Sequence, residues 1–242
     1  MINNNLDIEN IIGEMDSHPL FIGVEQENIN SFLENATVKK YEKNNIIFVQ
    51  EDKADFFYIL LSGCVKLFRE TLEGEEAIID ILSKGGLIGE TSIFDDGLHS
   101  CNCQAIEPSK LLCISTSTLN EKIDTSNKLA RNLLKVMSKK QESQSKEIEH
   151  LTVQDSSQRI GCFILRLCAG SEGEAKIDLP YDKSLIATKL GMKPETFSRS
   201  LNRLKKNTNI EIKKSAVIVP DIEALAQYCC NHCSGTYPCK DL

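Results

Sequence analysis

The chain has no apolar run approaching the roughly 18 residues that a membrane-spanning helix needs. Its polar start, Met1-Ile2-Asn3-Asn4-Asn5, lacks the apolar stretch of a secretory signal. A cytoplasmic protein with no membrane partner is the expectation. No glycine-rich phosphate loop, His-Glu-x-x-His pair or nucleophile elbow occurs, so the usual sequence marks of catalysis are missing. No cysteine precedes Cys64, and no arginine lies between Arg69 and Arg131.

The 242 residues suffice for two domains, and 41% hydrophobic content supports real cores. The net charge of -7 argues against a general nucleic-acid coat, yet the charge is unevenly divided. Residues 1–150 carry 15 Lys and Arg against 25 Asp and Glu, whereas residues 151–242 carry 13 against 10. Between Lys183 and Lys214 stand nine basic residues and two acidic ones, a local surplus suited to phosphate neutralisation. In a cytoplasmic setting the ten cysteines are expected to be reduced, as core residues, metal ligands or redox sensors.

That basic stretch reads as two helices joined by a turn. Leu185, Ile186 and Leu190 form the inner face of the first, Gly191 supplies a positive φ, and Pro194 opens the second. Phe197, Leu201 and Leu204 recur at helical spacing as the buried stripe of the second helix. Glu195, Ser198, Arg199, Asn202 and Arg203 are left outside, with Lys193 just ahead. An arginine can grip guanine O6 and N7, and a carboxylate can accept from an exocyclic amine. A plain charged surface helix is the competing reading.

Residues 20–120 carry short apolar runs at 46–49, 56–61, 64–68 and 77–82, separated by turn-like segments, with hairpin turns expected at Ser62-Gly63 and Glu73-Gly74. A sandwich or jelly roll is predicted. After Thr118 the pattern lengthens into a helix to about His150, with Leu129, Leu133, Val136 and Met137 on its apolar side. Such a helix buries its stripe against a dimer partner or against its own β domain. Cys64, Cys113, Cys162 and Cys168 lie in apolar runs and read as core packing, whereas Cys101 and Cys103 sit close to His99.

The end of the chain is different. Tyr228-Cys229-Cys230-Asn231-His232-Cys233-Ser234-Gly235-Thr236-Tyr237-Pro238-Cys239 gathers four cysteines and a histidine, and is not expected to form a core strand or helix. Cys230-x-x-Cys233 lets two thiolates reach one metal, with Cys239 near enough to be a third ligand. A fourth could be Cys229, His232 or a residue from elsewhere.

With Gly63, Gly85-Gly86-Leu87-Ile88-Gly89-Glu90, the long helix and Pro194-Glu195-Thr196-Phe197-Ser198-Arg199, the chain resembles the CRP/FNR family of bacterial transcription regulators from about His18 to Leu225. The resemblance implies an α+β protein. It places a cyclic-nucleotide-binding-like jelly-roll β domain at 18–118, a dimerisation helix at 119–152, a winged helix-turn-helix at 153–225 and a cysteine-rich tail at 226–242. Ile210-Glu211-Ile212 and Ala216-Val217-Ile218-Val219 fit the two strands of the wing. Glu195, Ser198 and Arg199 match the E-x-x-S-R pattern of the FNR branch. That match implies a homodimer on a TTGAT-N4-ATCAA-like palindrome in double-stranded DNA, and RNA polymerase as a partner.

Cyclic-nucleotide-binding members carry an arginine eleven residues after the glycine of Gly-Glu; here that position is Ser100, which argues against cAMP or cGMP. Gly89-Glu90 is read as a retained turn. Some FNR-like regulators carry cluster cysteines at the C-terminal end, and the tail resembles theirs. This implies an iron–sulfur cluster, expected as [4Fe-4S], on Cys229, Cys230, Cys233 and Cys239, or completed by Glu149, His150, Asp155 or His232. A structural zinc site and a metal-free thiol switch remain open. Haem bound through His18, His99, Met137 or His150 is the main rival signal. A thiol oxidoreductase using Cys230 and Cys233 is the reading from another class, although the motif lies beyond the wing rather than at a helix start.

Overall fold

The computed structural model describes residues 11–230 apart from Ile12, Asn35, Asp95 and Lys214. It divides into two compact units at Lys139–Lys140. Among the described residues, no helix is long and apolar enough to cross a membrane.

In the first unit, helix α1 (Gln26–Glu34) precedes eight strands: β1 (Thr37–Tyr41), β2 (Ile46–Phe48), β3 (Phe56–Ser62), β4 (Val65–Glu70), β5 (Glu76–Leu82), β6 (Leu87–Ile88), β7 (Asn102–Ala105) and β8 (Ser109–Ser115). They form two antiparallel four-stranded sheets, ordered β1-β8-β3-β6 and β2-β7-β4-β5. Successive strand side chains point to opposite faces, and β3 uses both. Tyr58 and Leu60 join a core with Val65, Leu67, Cys103 and Cys113, while Phe57, Ile59 and Leu61 join another with Phe21, Phe32, Leu129 and Leu133. Burial on both faces explains why β3 is continuously apolar rather than alternating.

The turn at Glu73-Gly74 closes the β4–β5 hairpin, with Gly74 at φ 78°. Ser62-Gly63 does not close a hairpin, because β3 and β4 belong to different sheets. Gly63, at φ 89°, is the corner between them, and a Cβ there would run into the backbone of Pro108 and Ser109.

Two helices replace the single long one expected after Thr118: α2 (Thr116–Thr125) and α3 (Asn127–Val153). The break falls at Ser126, which turns extended and whose hydroxyl accepts from Leu129 N–H at 3.4 Å. Leu129 and Leu133 are buried in the β unit's own core, so the start of the stripe packs within the chain. Leu134, Ile148, Leu151 and Val153 stay exposed.

The second unit contains α4 (Ser156–Leu167), β9 (Ala175–Asp178), α5 (Lys183–Lys189), α6 (Pro194–Thr208), β10 (Glu211–Lys213), β11 (Ala216–Val219) and α7 (Ile222–Cys230). The predicted wing strands β10 and β11 pair, and β9, absent from the sequence reading, adds a third strand on the other side of β11. Helix α7 runs five residues past the boundary placed at 225. Tyr228, Cys229 and Cys230 are therefore its last turn, which corrects the expectation that this stretch is not helical. The reason is packing: Ala226 and Cys229 complete the apolar face that seals the core against α4.

Candidate nucleic-acid interface

Local sequence sets up both helices of the reader. Asp182 caps α5 by accepting from Leu185 N–H at 2.9 Å, and Gly191 makes the turn at φ 65°. Pro194 opens α6, and Asn209 ends it in the left-handed conformation at φ 55°. Phe197, Leu201, Leu204 and Thr208 are buried. Burying each of the three apolar side chains contributes about 1.5–3 kcal/mol, which fixes the rotation of α6 about its axis.

With that rotation fixed, Lys193, Glu195, Ser198, Arg199, Asn202 and Arg203 are all exposed. Arg203 is additionally tied inward, its Nη2 lying 3.2 Å from Asp155 Oδ2. Both side chains are well exposed, so the pair is worth at most about 1 kcal/mol and leaves Arg203 able to exchange partners. Glu195 in the first turn suits the positive end of the helix.

The candidate metal residues are dispersed. His232, Cys233 and Cys239 lie outside the described residues. Cys229 is fully buried, its Sγ directly over Gly161 in α4, so close that a Cβ on Gly161 could not coexist with it. Cys230 is half-buried at the end of α7. Asp155 caps α4 in a reciprocal box with Gln158, each bond 2.9 Å. His150 Nδ1 lies 3.1 Å from Arg166 Nη2, and Glu149 is half-buried on α3. Among the described residues, no group of three or more His, Cys, Asp or Glu side chains is arranged to hold a metal ion. Of the two tail cysteines among the described residues, Cys229 is buried and Cys230 is partly exposed.

In the β unit, Gly89 adopts φ 80° and opens a short 3-10 turn over Glu90–Ile93 with Glu90 buried, as a retained turn requires. His99 lies flat on Phe48, ring centroids 3.6 Å apart, and packs beside Gly89. Ser100 occupies the position from which the arginine is missing, and its carbonyl accepts from Arg69 Nε at 2.9 Å. Sequence spacing did not reveal that contact, because Arg69 arrives from another strand. Cys103, Cys113 and Cys168 are buried, and burial pushes each thiol up, Cys113 to about 11. They stay protonated and unreactive, in keeping with packing roles. His18 is also spent, its Nε2 2.9 Å from Gly85 O and its Nδ1 accepting from Leu20 N–H at 3.2 Å.

The second unit holds a solvent-open cleft that the sequence did not announce. It lies between the end of α3, one side of α4 and the last turn of α5, and Glu147, His150, Gln154, Arg159, Arg166 and Lys189 supply its polar walls.

A β sandwich followed by a long helix and a winged helix-turn-helix with one exposed polar reading face defines a DNA-binding transcription regulator. Residues 38–126 match the cyclic nucleotide-binding domain family, and residues 158–228 match the Crp-like helix-turn-helix domain family. Together the two matches, in this order, support a CRP/FNR-type transcription regulator.

It is 26% identical to the cyclic AMP receptor protein of Thermus thermophilus, over 88% of this chain and 97% of that one. It is also 26% identical to the fumarate and nitrate reduction regulatory protein of Escherichia coli, over 78% of this chain and 77% of that one. The fold matches that of FixK2 from Bradyrhizobium japonicum with a TM-score of 0.68 at 20% identity, over 79% and 96% of the two chains.

Proposed function

We propose that this regulator belongs to the FNR branch and acts as a cytoplasmic homodimer on a palindrome close to TTGAT-N4-ATCAA, with RNA polymerase as its partner at the promoter. The observation that carries this reading is the single exposed polar face of α6 above a fully buried stripe. Arg199 suits a guanine edge, Glu195 an exocyclic amine, Ser198 and Asn202 flanking edges, and Lys193 and Arg203 phosphates. Two such helices held one DNA turn apart read a symmetric site. Exposed Leu134 and Ile148, fourteen positions apart on α3, supply apolar surface for the partner.

The signal enters through an iron–sulfur cluster on the C-terminal cysteines. When bound, the cluster supplies a redox- and oxygen-labile group. Cys230, Cys233 and Cys239 are assigned to it, with a fourth ligand from the remaining candidates. Cys229 is left out, because leaving the Gly161 contact would open the reader core. A haem reading loses His18, whose two ring nitrogens already have partners. A cyclic-nucleotide reading, which the name of the Thermus relative raises, lacks the arginine at Ser100.

The experiment is anaerobic purification of the full chain with iron, sulfide and zinc quantified, followed by DNA binding before and after air. Roughly four irons per monomer, bleaching in air and altered affinity for the palindrome are expected. A Soret band, stoichiometric zinc or cAMP-dependent binding would overturn the sensor assignment and leave the DNA-binding assignment standing.

A further inference from the structure

The cleft in the reader unit contains groups whose bonding is incomplete. Gln154 is 5% exposed and lines the cleft, and among the described residues neither its Nε2 nor its Oε1 has a hydrogen-bond partner. Arg159, beside it in the lining, spends Nη2 on Ser156 Oγ at 3.3 Å, and its Nε has no partner among the described residues. Buried polar groups are nearly always satisfied, so a donor–acceptor amide next to a half-used guanidinium marks a place where something binds. Leu151, Phe163 and Leu190 supply apolar lining to the same cleft. The cleft is open to solvent on one side.

We propose that this cleft is an effector site for a small organic acid: a carboxylate on Arg159 and Gln154 Nε2, a neighbouring hydroxyl or amino group donating to Gln154 Oε1, and an aromatic or branched body against Leu151, Phe163 and Leu190. The planar guanidinium fork favours a carboxylate, and the apolar lining favours an organic body over inorganic phosphate. The site lies against the turn that aims the reading helix, since a Cβ on Gly191 would meet Leu151 Cδ2 at 3.2 Å and Arg159 Nη1 at 3.7 Å. A ligand that holds Arg159 and Leu151 in place therefore biases the pose of the turn. The proposal rests on the DNA-binding assignment.

The test is calorimetric titration of the full chain with mandelate, with phenylacetate, mandelamide and inorganic phosphate as controls, paired with fluorescence anisotropy on the palindrome. Mandelate is expected to bind with Kd of about 1 mM or tighter. Loss of the hydroxyl or of the charge should weaken binding about tenfold. Gln154→Leu and Arg159→Met should weaken mandelate about tenfold or more, and Gln154→Leu should keep or raise the melting temperature, because it removes an unsatisfied amide. Saturating mandelate should change specific DNA affinity in the parent and not in the variants. Absent saturable binding, binding equal in parent and variants, or unchanged DNA affinity at saturation would each overturn the proposal.

Discussion

Gly161→Ala tests where Cys229 belongs. Gly161 lies within α4, where alanine is normally better by about 1 kcal/mol because glycine loses more backbone freedom on folding. Here the added Cβ would fall on Cys229 Sγ and within 3.3 Å of Leu204 Cδ1 and Leu225 Cδ1. Overpacking of this kind costs about 1–3 kcal/mol. The site is sandwiched between α4, α6 and α7, so there is little room for relief, and the upper part of that range is expected. Net destabilisation of about 1–2 kcal/mol follows once the propensity gain is subtracted. Cys229→Ala alone should also destabilise, by about 1 kcal/mol or more, through the void it leaves.

The double variant is the informative one, because the alanine methyl at 161 then occupies space vacated by the sulfur. The two losses should fail to add, with a coupling of about 1–3 kcal/mol in favour of the pair. Urea denaturation of the full chain, followed by a probe in the reader unit, measures all four corners of the cycle. Iron content of each anaerobically purified protein should stay at the parent level. Additive losses, or iron lost with Cys229→Ala while Gly161→Ala is stable, would refute the packing assignment and return Cys229 to the ligand set.

Arg199→Ala should lower affinity for the palindrome by about 1–3 kcal/mol and relax preference at one base pair, whereas Lys193→Ala should weaken all sequences alike and reduce the salt slope by about 1. Anisotropy titrations across salt concentrations separate the two roles. Burial lowers the pKa of His18 and of His99, so both imidazoles are held neutral in the folded chain. Their folded values lie below the unfolded 6.5, so the unfolded state binds more protons. Stability is fully present above about pH 6.5 and is lost as pH falls below it. The urea midpoint should drop between pH 7.5 and 5.5, less steeply in His18→Gln; a flat profile would contradict this. Asp155→Ala removes the α4 cap and should destabilise the reader by about 0.5–2 kcal/mol, while Asp155→Asn keeps an acceptor for Gln158 N–H and should lose much less. Equal loss in both would mean that the cap is not what Asp155 contributes.

The reader was legible because its signals are local. Pro194, Gly191 and the spacing of Phe197, Leu201 and Leu204 each act within a few residues, and the structure puts those three side chains inside and the polar six outside. The strands at Ile46–Phe48, Phe56–Ser62, Val65–Glu70 and Glu76–Leu82 and the two of the wing were legible for the same reason. The sheet change at Gly63 was not, because its cause is the backbone at Pro108 and Ser109, some 45 positions away. The cysteine-rich end shows the sharpest limit of local reading. Adjacent cysteines look alike in sequence, yet one turn of α7 sends Cys229 into the core and leaves Cys230 half-buried.

By itself, then, the order of residues determined the helix-turn-helix, the polar reading face and the missing arginine at Ser100, since helical period, turn chemistry and residue type are short-range properties. Tertiary structure alone decided which apolar residues of the long helix stay within the chain and which glycine accommodates a sulfur. It also decided which polar side chains converge on the cleft at Gln154 and Arg159. Each of these depends on what a distant segment packs against, and no local pattern encodes that.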